Sequence, residues 1–310
     1  MTVLEAIRKS AEFLAKKGVD SPRLQTELLL AHLLKLPRMK LYLNFERTLS
    51  PTETDALREL VRRRGRHEPL QHLTGSTSFC GFEIAVNRHA LVPRPETELL
   101  AESGWEFLST LNPQPSTALD FGTGSGCIAI ALAAKCSSAK IIATDISPEA
   151  LALARENAAR NNVTDRIEFL LGDGFAALHS EERVPRAPNP TGKEDRASQS
   201  SALRKMEFDL IISNPPYIPS AEIATLQPEV RDFDPRAALD GGADGLSFYR
   251  KLAAEAKPFL KPDGKIILEF GDGQAEAVRK FFEAEKWIVE AVKEDYSQRE
   301  RILIAGNKTR

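Results

Sequence analysis

The sequence predicts an open α/β fold, a mostly parallel seven-stranded sheet ending in an antiparallel strand, preceded by a small all-helical domain. Three observations carry this expectation. From about residue 116, short β-branched runs alternate with helix-length segments, the pattern of parallel strands joined by crossover helices. Within the first 70 residues, helix-start signals recur, and the segment reads as all-helical. At 310 residues, the chain has room for one large domain and one smaller one.

The elements run in order. Thr2 with Glu5 makes a capping box ahead of the first helix, and Ser21-Pro22 opens a second that ends near LLLAHLL. Ser50, Pro51 and Glu53 repeat the logic for a third helix through ALRELVRRR. In STSFCGFEIAVNRHALV (76–92), aromatic and β-branched residues around a Gly turn predict a short hairpin, followed by a helix over TELLAESGWEFL. TALDF, KIIATD, RIEFLLGD, FDLIISN and KIILEF read as strands, interleaved with helices over CIAIALAAK, PEALALARENAARN and FYRKLAAEAKPFL. WIVEAVKED and RILIAG, joined by YSQRE, predict a terminal antiparallel pair. The expected division is residues 1–75 helical, 76–95 a hairpin linker, and 96–310 the α/β domain. Within it, residues 180–206 hold no aromatic residue and many Pro, Ser and mixed charges, the composition of a mobile surface insertion.

Composition narrows the class. With 42% hydrophobic and 28% charged residues the chain is of ordinary globular type. Nothing approaches 18 consecutive apolar residues, so no transmembrane helix is expected. MTVLEAIRKSAEF lacks a signal-peptide core. Cys80, Cys127 and Cys136 have no C-x-x-C spacing, which disfavours a disulfide framework or zinc site and favours a reducing cytoplasm. The net charge of −2 divides into +5 over residues 1–75 and −7 over the rest. The run RRRGR (62–66) has two readings, a surface for an acidic partner or a solvated helix end beside its C-terminal dipole.

The chemistry concentrates where strands end. LDFGTGSGC places Gly122, Thr123, Gly124, Ser125 and Gly126 between a strand and a helix, where a ligand can approach the backbone closely. A dinucleotide fingerprint needs G-x-G-x-x-G, but Cys127 stands where its third glycine belongs, so the loop suits a nucleoside without a pyrophosphate. Asp145 ends the next strand, 23 residues after Gly122, in position to accept from ribose hydroxyls. Asp173, ahead of Gly174, ends the third and can receive an adenine amino group. Each Asp alone is an ordinary cap or turn residue; together they mark the carboxyl edge of an open sheet, where ligands bind.

Asn214 ends the fourth strand in ISNPPYIP (212–219), and Pro215 and Pro216 stiffen the next few residues. Take the ligand as S-adenosyl-L-methionine, whose methyl is already activated. The enzyme must then present a nucleophile, and a planar amide or aromatic amine is a poor one because its lone pair is delocalised. The Asn214 side-chain oxygen and Pro215 carbonyl, held rigidly, are suited to accept its two N–H groups and free that lone pair, while Tyr217 packs on its flat face.

These motifs, together with EPLQHLTG (68–75), PRPETE (93–98), EVRDFDPRAALDGGADGL (229–246) and LKPDGKIILEFG (260–271), resemble the protein-(glutamine-N5) methyltransferases that modify peptide chain release factors. The resemblance covers nearly the whole chain. NPPY is shared with nucleic-acid amino-methyltransferases and specifies chemistry only; PRPETE and DPRAALDGGADGL are more specific. The resemblance implies a Rossmann-like class I S-adenosylmethionine-dependent methyltransferase domain behind a helical substrate-binding domain. It implies the glutamine of a Gly-Gly-Gln loop in bacterial-type release factors as substrate. Carried over by motif, Gly122–Gly126, Asp145, Asp173, Gly174 and Asn214 bind the cofactor, and Asn214–Tyr217 hold the target amide. Relatives often carry an aromatic residue at the position of Gly174, and Phe175 is the candidate to replace its contact with adenine. PRPETE is expected near the active site.

Three other readings compete with this one. An adenine-N6 methyltransferase would use the same NPPY, but no segment resembles a target-recognition domain for base flipping. A non-catalytic release-factor-binding protein has little need of an intact glycine loop and NPPY. A dehydrogenase is disfavoured by the glycine spacing.

Overall fold

A computed structural model describes residues 1–111, 115–179 and 206–307, and divides them into two compact units. The insertion expected over 180–206 lies, except for Met206, outside the described residues. The first unit contains α1 (Val3–Lys16), α2 (Pro22–Leu34), α3 (Arg38–Tyr42), α4 (Pro51–Arg64) and α5 (Leu70–Thr74). Both capping boxes form, Thr2 with Glu5 and Ser50 with Glu53, each worth about 1 kcal/mol. Ser21 precedes α2 as expected, but at φ 46° its side chain does not cap; Pro22 supplies the preset φ instead. Val3, Ile7, Leu14, Leu29, Leu30, Leu41 and Leu57 interlock as the core of this unit.

The chain continues through a hairpin, β1 (Ser76–Phe79) and β2 (Phe82–Ala85), turned at Cys80 and Gly81, both at positive φ as a tight two-residue turn demands. Then come α6 (Pro95–Thr110), β3 (Thr117–Phe121), α7 (Cys127–Lys135), β4 (Lys140–Asp145), α8 (Pro148–Arg160), β5 (Ile167–Leu171), β6 (Phe208–Ser213) and α9 (Pro228–Arg231). The order closes with α10 (Ser247–Glu255), β7 (Leu260–Glu269), α11 (Ala275–Ala284), β8 (Ile288–Glu294) and β9 (Glu300–Gly306). Within the 225–307 region, Thr225–Asp234, which carries α9, groups with the helices of the first unit.

Three arginines of the basic run are paired within that unit. Arg62 pairs with Glu59 at 2.8 Å, Arg63 with Glu68 at 2.5 Å, and the 4% exposed Arg64 with Glu229 of α9 at 2.6 Å. Its charge is answered mainly by local carboxylates, which favours the structural reading over the acidic-partner one.

The second unit is built on one sheet of order β5-β4-β3-β6-β7-β9-β8. The first five strands are parallel and the last two join antiparallel, as the sequence predicts. β6 is an almost continuous buried run because helices cover both faces of a parallel sheet. On one side Phe208, Ile211, Leu252, Ile266, Leu268, Phe282 and Trp287 form a large core. On the other, Gly104 of α6 lets that helix sit so close that an added Cβ would lie 2.9 Å from the Ile212 side chain. Crossover connections leave the five parallel carboxyl ends on one edge, and that edge positions the site.

Candidate active site

Across the sheet, the five parallel strands end in a row: Asp173 just past β5, Asp145 on β4, the glycine loop after β3, Asn214 after β6, and Glu269 on β7. Four of these are the positions that the sequence marks; Glu269 is the one it does not.

The glycine loop is held from below and open above. The amides of Gly122 and Thr123 both donate to the Thr144 carbonyl at 2.9 Å, and Gly126, at φ 81°, starts α7. Gly122 and Gly124 are also at positive φ, where side chains are strained. A Cβ on Gly122 would meet nothing within 4 Å, and one on Gly124 only the Ala90 Cβ at 3.9 Å. Asp145 secures this loop to β4, accepting from Gly124 N at 2.8 Å through Oδ2 and from Ser147 N at 2.9 Å through Oδ1. Each carboxylate oxygen keeps a further lone pair for a ligand hydroxyl. The residues present therefore fit a nucleoside seated over the loop.

Beneath the loop, Asp120 is fully buried. Its Oδ2 accepts from the Thr123 hydroxyl at 2.6 Å and from Ala129 N at 3.1 Å, while Oδ1 has no hydrogen-bond partner among the described residues. Burial pushes its carboxyl up to about 7, against the two hydrogen bonds. Asn157, buried on α8, ties three pieces together: it accepts from Ala85 N at 2.7 Å and donates to Ala85 O and Ser125 O. Nothing in its ARENA context distinguishes this asparagine from an ordinary helix residue.

At the β5 end the structure departs from expectation. The Asp173 carboxylate accepts from Lys251 Nζ at 2.8 Å, an ion pair the sequence did not suggest. Gly174 is at φ 59° with the Phe121 ring so near that an added Cβ would lie 2.5 Å from it, so the close approach requires glycine. The resulting turn sends Phe175 into the core. Its ring is 4% exposed, tilted against Phe121 at 5.1 Å and stacked on Phe259 at 4.7 Å. Phe175 is thus a core residue and is not the replacement aromatic for adenine.

The NPPY segment is held on several sides. Ser213 Oγ donates to Phe121 O at 2.6 Å just before it. Asn214 Nδ2 donates to the hydroxyl of Thr97 at 3.0 Å, and Thr97 belongs to PRPETE, which gives that motif a physical role. Gln274 Nε2 donates to the Tyr217 carbonyl at 2.9 Å while its Oε1 accepts from Gly271 N. The DPRAALDGGADGL block closes the rear: Ile218 N donates to Leu239 O, and Gly241 N to Ile218 O. Gly241 approaches so closely that a Cβ there would lie 2.8 Å from Pro216 O, and one on Gly245 would collide with Tyr217 O. The ring of Tyr217 packs over Gly271, and burial pushes its phenol up to about 12, so it keeps its proton at neutral pH.

Glu269 is 3% exposed, and burial pushes its carboxyl up to about 7; Thr97 and Asn214 are the neighbours whose hydrogen bonds oppose that rise. Glutamate at the end of an apolar strand is ordinary in sequence; only its place in the row of strand ends could have singled it out.

Comparison with known proteins identifies similar families and relatives. The PrmC N-terminal domain family matches residues 5–75, and the ribosomal protein L11 methyltransferase (PrmA) family matches residues 102–184. The chain is 41% identical over 281 residues to the release factor glutamine methyltransferase of Geobacter sulfurreducens, covering 91% of this chain and 88% of that one. It is 36% identical over 307 residues to the protein of the same name from Moorella thermoacetica, covering 98% of each. A crystal structure of a release factor-specific protein-(glutamine-N5) methyltransferase from Alicyclobacillus acidocaldarius matches 70% of this chain and 95% of its own, at 24% identity and a TM-score of 0.39.

Proposed function

This chain belongs to the release factor glutamine methyltransferases, and we propose that it transfers a methyl group from S-adenosyl-L-methionine to the side-chain nitrogen N5 of the glutamine in the Gly-Gly-Gln motif of bacterial-type release factors. When bound, S-adenosylmethionine supplies a methyl on a sulfonium, already activated toward a nucleophile. The glycine loop Gly122–Gly126 and Asp145 would hold its nucleoside part, with Asp173 at the adenine end of the row once released from Lys251.

The chain's own contribution is to make an amide nitrogen nucleophilic. Two acceptors that take both N–H bonds of the glutamine draw its nitrogen toward tetrahedral geometry and localise the lone pair. Asn214 Oδ1 is one acceptor, because Nδ2 is already committed to Thr97; the carbonyl of Pro215 is the other. Prolines at 215 and 216 and the Gln274 bond to Tyr217 O limit how far these acceptors can move. Tyr217 provides an apolar wall, and at neutral pH it holds its own proton. The proton leaves the product nitrogen after transfer, so no strong base is needed.

The commitment of Asn214 Nδ2 to Thr97 is the observation that carries the proposal. The test is to incubate the protein with S-adenosylmethionine and an unmethylated release factor and map the product by peptide mass spectrometry, with Asn214→Ala alongside. One methyl on the Gly-Gly-Gln glutamine is expected, and the variant should transfer it about 10²–10³-fold more slowly. Methyl appearing on DNA or RNA instead would keep the chemistry and replace the substrate. Cofactor binding with transfer to none of the three would leave only a binding role.

A further inference from the structure

We propose that Glu269 is a positioning residue for methyl transfer: with Thr97 it fixes the Asn214 amide so that Oδ1, and not Nδ2, is presented to the substrate. The inference rests on the reading that Asn214 holds the target amide.

Placement comes first. β6 and β7 run in parallel register with Ser213 opposite Leu268, so the next residues on each strand, Asn214 and Glu269, are neighbours at the sheet edge. The carboxylate is buried against the Thr97 hydroxyl and the Asn214 amide, and its Oε2 has no hydrogen-bond partner among the described residues. A purely structural carboxylate is a poor choice here. Burying a charge costs several kcal/mol unless it is fully paired, and an apolar residue would serve the strand better. The backbone makes no demand for it either, since the Tyr249 hydroxyl bonds the Glu269 main-chain carbonyl, leaving the side chain out.

Hydrogen-bond logic supplies the reason for it. A carboxylate accepts and never donates. With Glu269 ionised, its carboxylate is an acceptor for the Thr97 proton, which leaves the Thr97 oxygen to accept, as it does, from Asn214 Nδ2 at 3.0 Å. Both groups facing the Asn214 amide are then acceptors, and the amide can turn only its NH₂ toward them. A chain of bonds ending on a negative charge also polarises each member, which makes Oδ1 a stronger acceptor. Protonated Glu269 can donate; Thr97 can then donate to Asn214 Oδ1, and the amide can reverse.

This switch falls in an accessible range, because burial and, to a lesser degree, Glu96 hold the Glu269 carboxyl up at about 7 while Thr97, Arg301 and Asn214 oppose them. The facing groups are Glu96 on α6, Arg301 on β9, Tyr217 after β6 and Tyr249 on α10, and burial pushes both tyrosines well upward.

The experiment pairs a kinetic with a spectroscopic readout on the full chain. The wild-type kcat should fall on the acid side with a midpoint near 7, and Glu269→Gln should lose that limb and lower kcat about tenfold at high pH. Its affinity for S-adenosylmethionine, by calorimetry, should be unchanged. Thr97→Val should lower kcat similarly, and the double variant should lose no more than either alone. In parallel, the Asn214 side-chain NH₂ signal, assigned in a ¹⁵N spectrum by its absence from Asn214→Ala, should shift through the same midpoint. A kcat independent of pH across that range together with an NH₂ signal that does not titrate would overturn the inference. If Glu269→Gln fails to fold, the same two measurements on Asp120→Asn, which removes the other carboxyl held near 7, decide it: the limb and the NH₂ shift should persist there. If wild-type enzyme transfers no methyl to release factor while the NH₂ signal titrates, the substrate reading falls and the Glu269–Asn214 coupling stands.

Discussion

The Glu27 and Arg64 clusters of the helical unit and the carboxylates Asp120 and Glu269 at the strand ends all bury charge, and the two sets treat it in opposite ways. In the helical unit Glu27, 2% exposed, accepts from Arg23 at 3.0 Å, from Arg38 at 3.3 Å and from the Tyr42 hydroxyl through both oxygens. Arg64 is met by Glu229, Gln25 and the Glu68 carbonyl. At the strand ends Asp120 and Glu269 are just as deeply buried, yet each leaves one oxygen without a hydrogen-bond partner among the described residues. At Asp120 and Glu269 burial, opposed by only a few hydrogen bonds, raises the carboxyl pKa to about 7.

The comparison can be broken in three places. The largest effect is expected from Glu27→Ala, which strips three donors of their shared acceptor and should destabilise the chain by about 2–4 kcal/mol in urea unfolding, with methyl transfer per folded molecule unchanged. A smaller cost would mean that the cluster is decorative. Asp120→Asn probes the other side. A carboxyl whose folded pKa is raised contributes stability at low pH and loses it as pH rises through about 7. The variant has no such loss, so relative to wild type it should gain on the order of 1–3 kcal/mol between pH 5 and pH 8, read from thermal melts. A difference that is flat with pH would show that Asp120 stays ionised. The smallest effect is expected from Lys251→Ala. Its partner Asp173 is 64% exposed, so the change should stay within about 0.5 kcal/mol by the same urea assay. A larger loss would mean that exposure is a poor guide to which pairs matter.

Much of this was legible in the sequence because it is local. Capping boxes, the alternation of strands with helices and the glycine loop are each written within a dozen residues, and NPPY announces its own stiffness. What escaped is the set of contacts between distant side chains. Thr97 meets Asn214 across 117 positions, and Asn157 meets Ala85 across 72. Such pairs leave no periodic trace. PRPETE was conspicuous, but its chemistry was opaque until Thr97 was seen to receive the Asn214 amide. Phe175 failed for a different reason: sequence adjacency to Asp173 says nothing of direction, and a left-handed glycine between them turned the ring inward. In the RRRGR run, the partner of Arg64 was likewise hidden, because Glu229, which answers it, is 165 residues away.

The membership of Thr225–Asp234 in the helical unit has a consequence for how the chain is made. Domains usually fold as they emerge, the N-terminal one first. Here the helices through residue 77 appear early but lack α9 and the carboxylate of Glu229, so Arg64 waits with an incomplete shell. At ordinary synthesis rates, the missing piece follows on the order of 10 s later, a long interval for a helical assembly. The N-terminal unit is therefore first to be translated without being first to be finished, and a ribosome stalled before residue 225 would display it loosened.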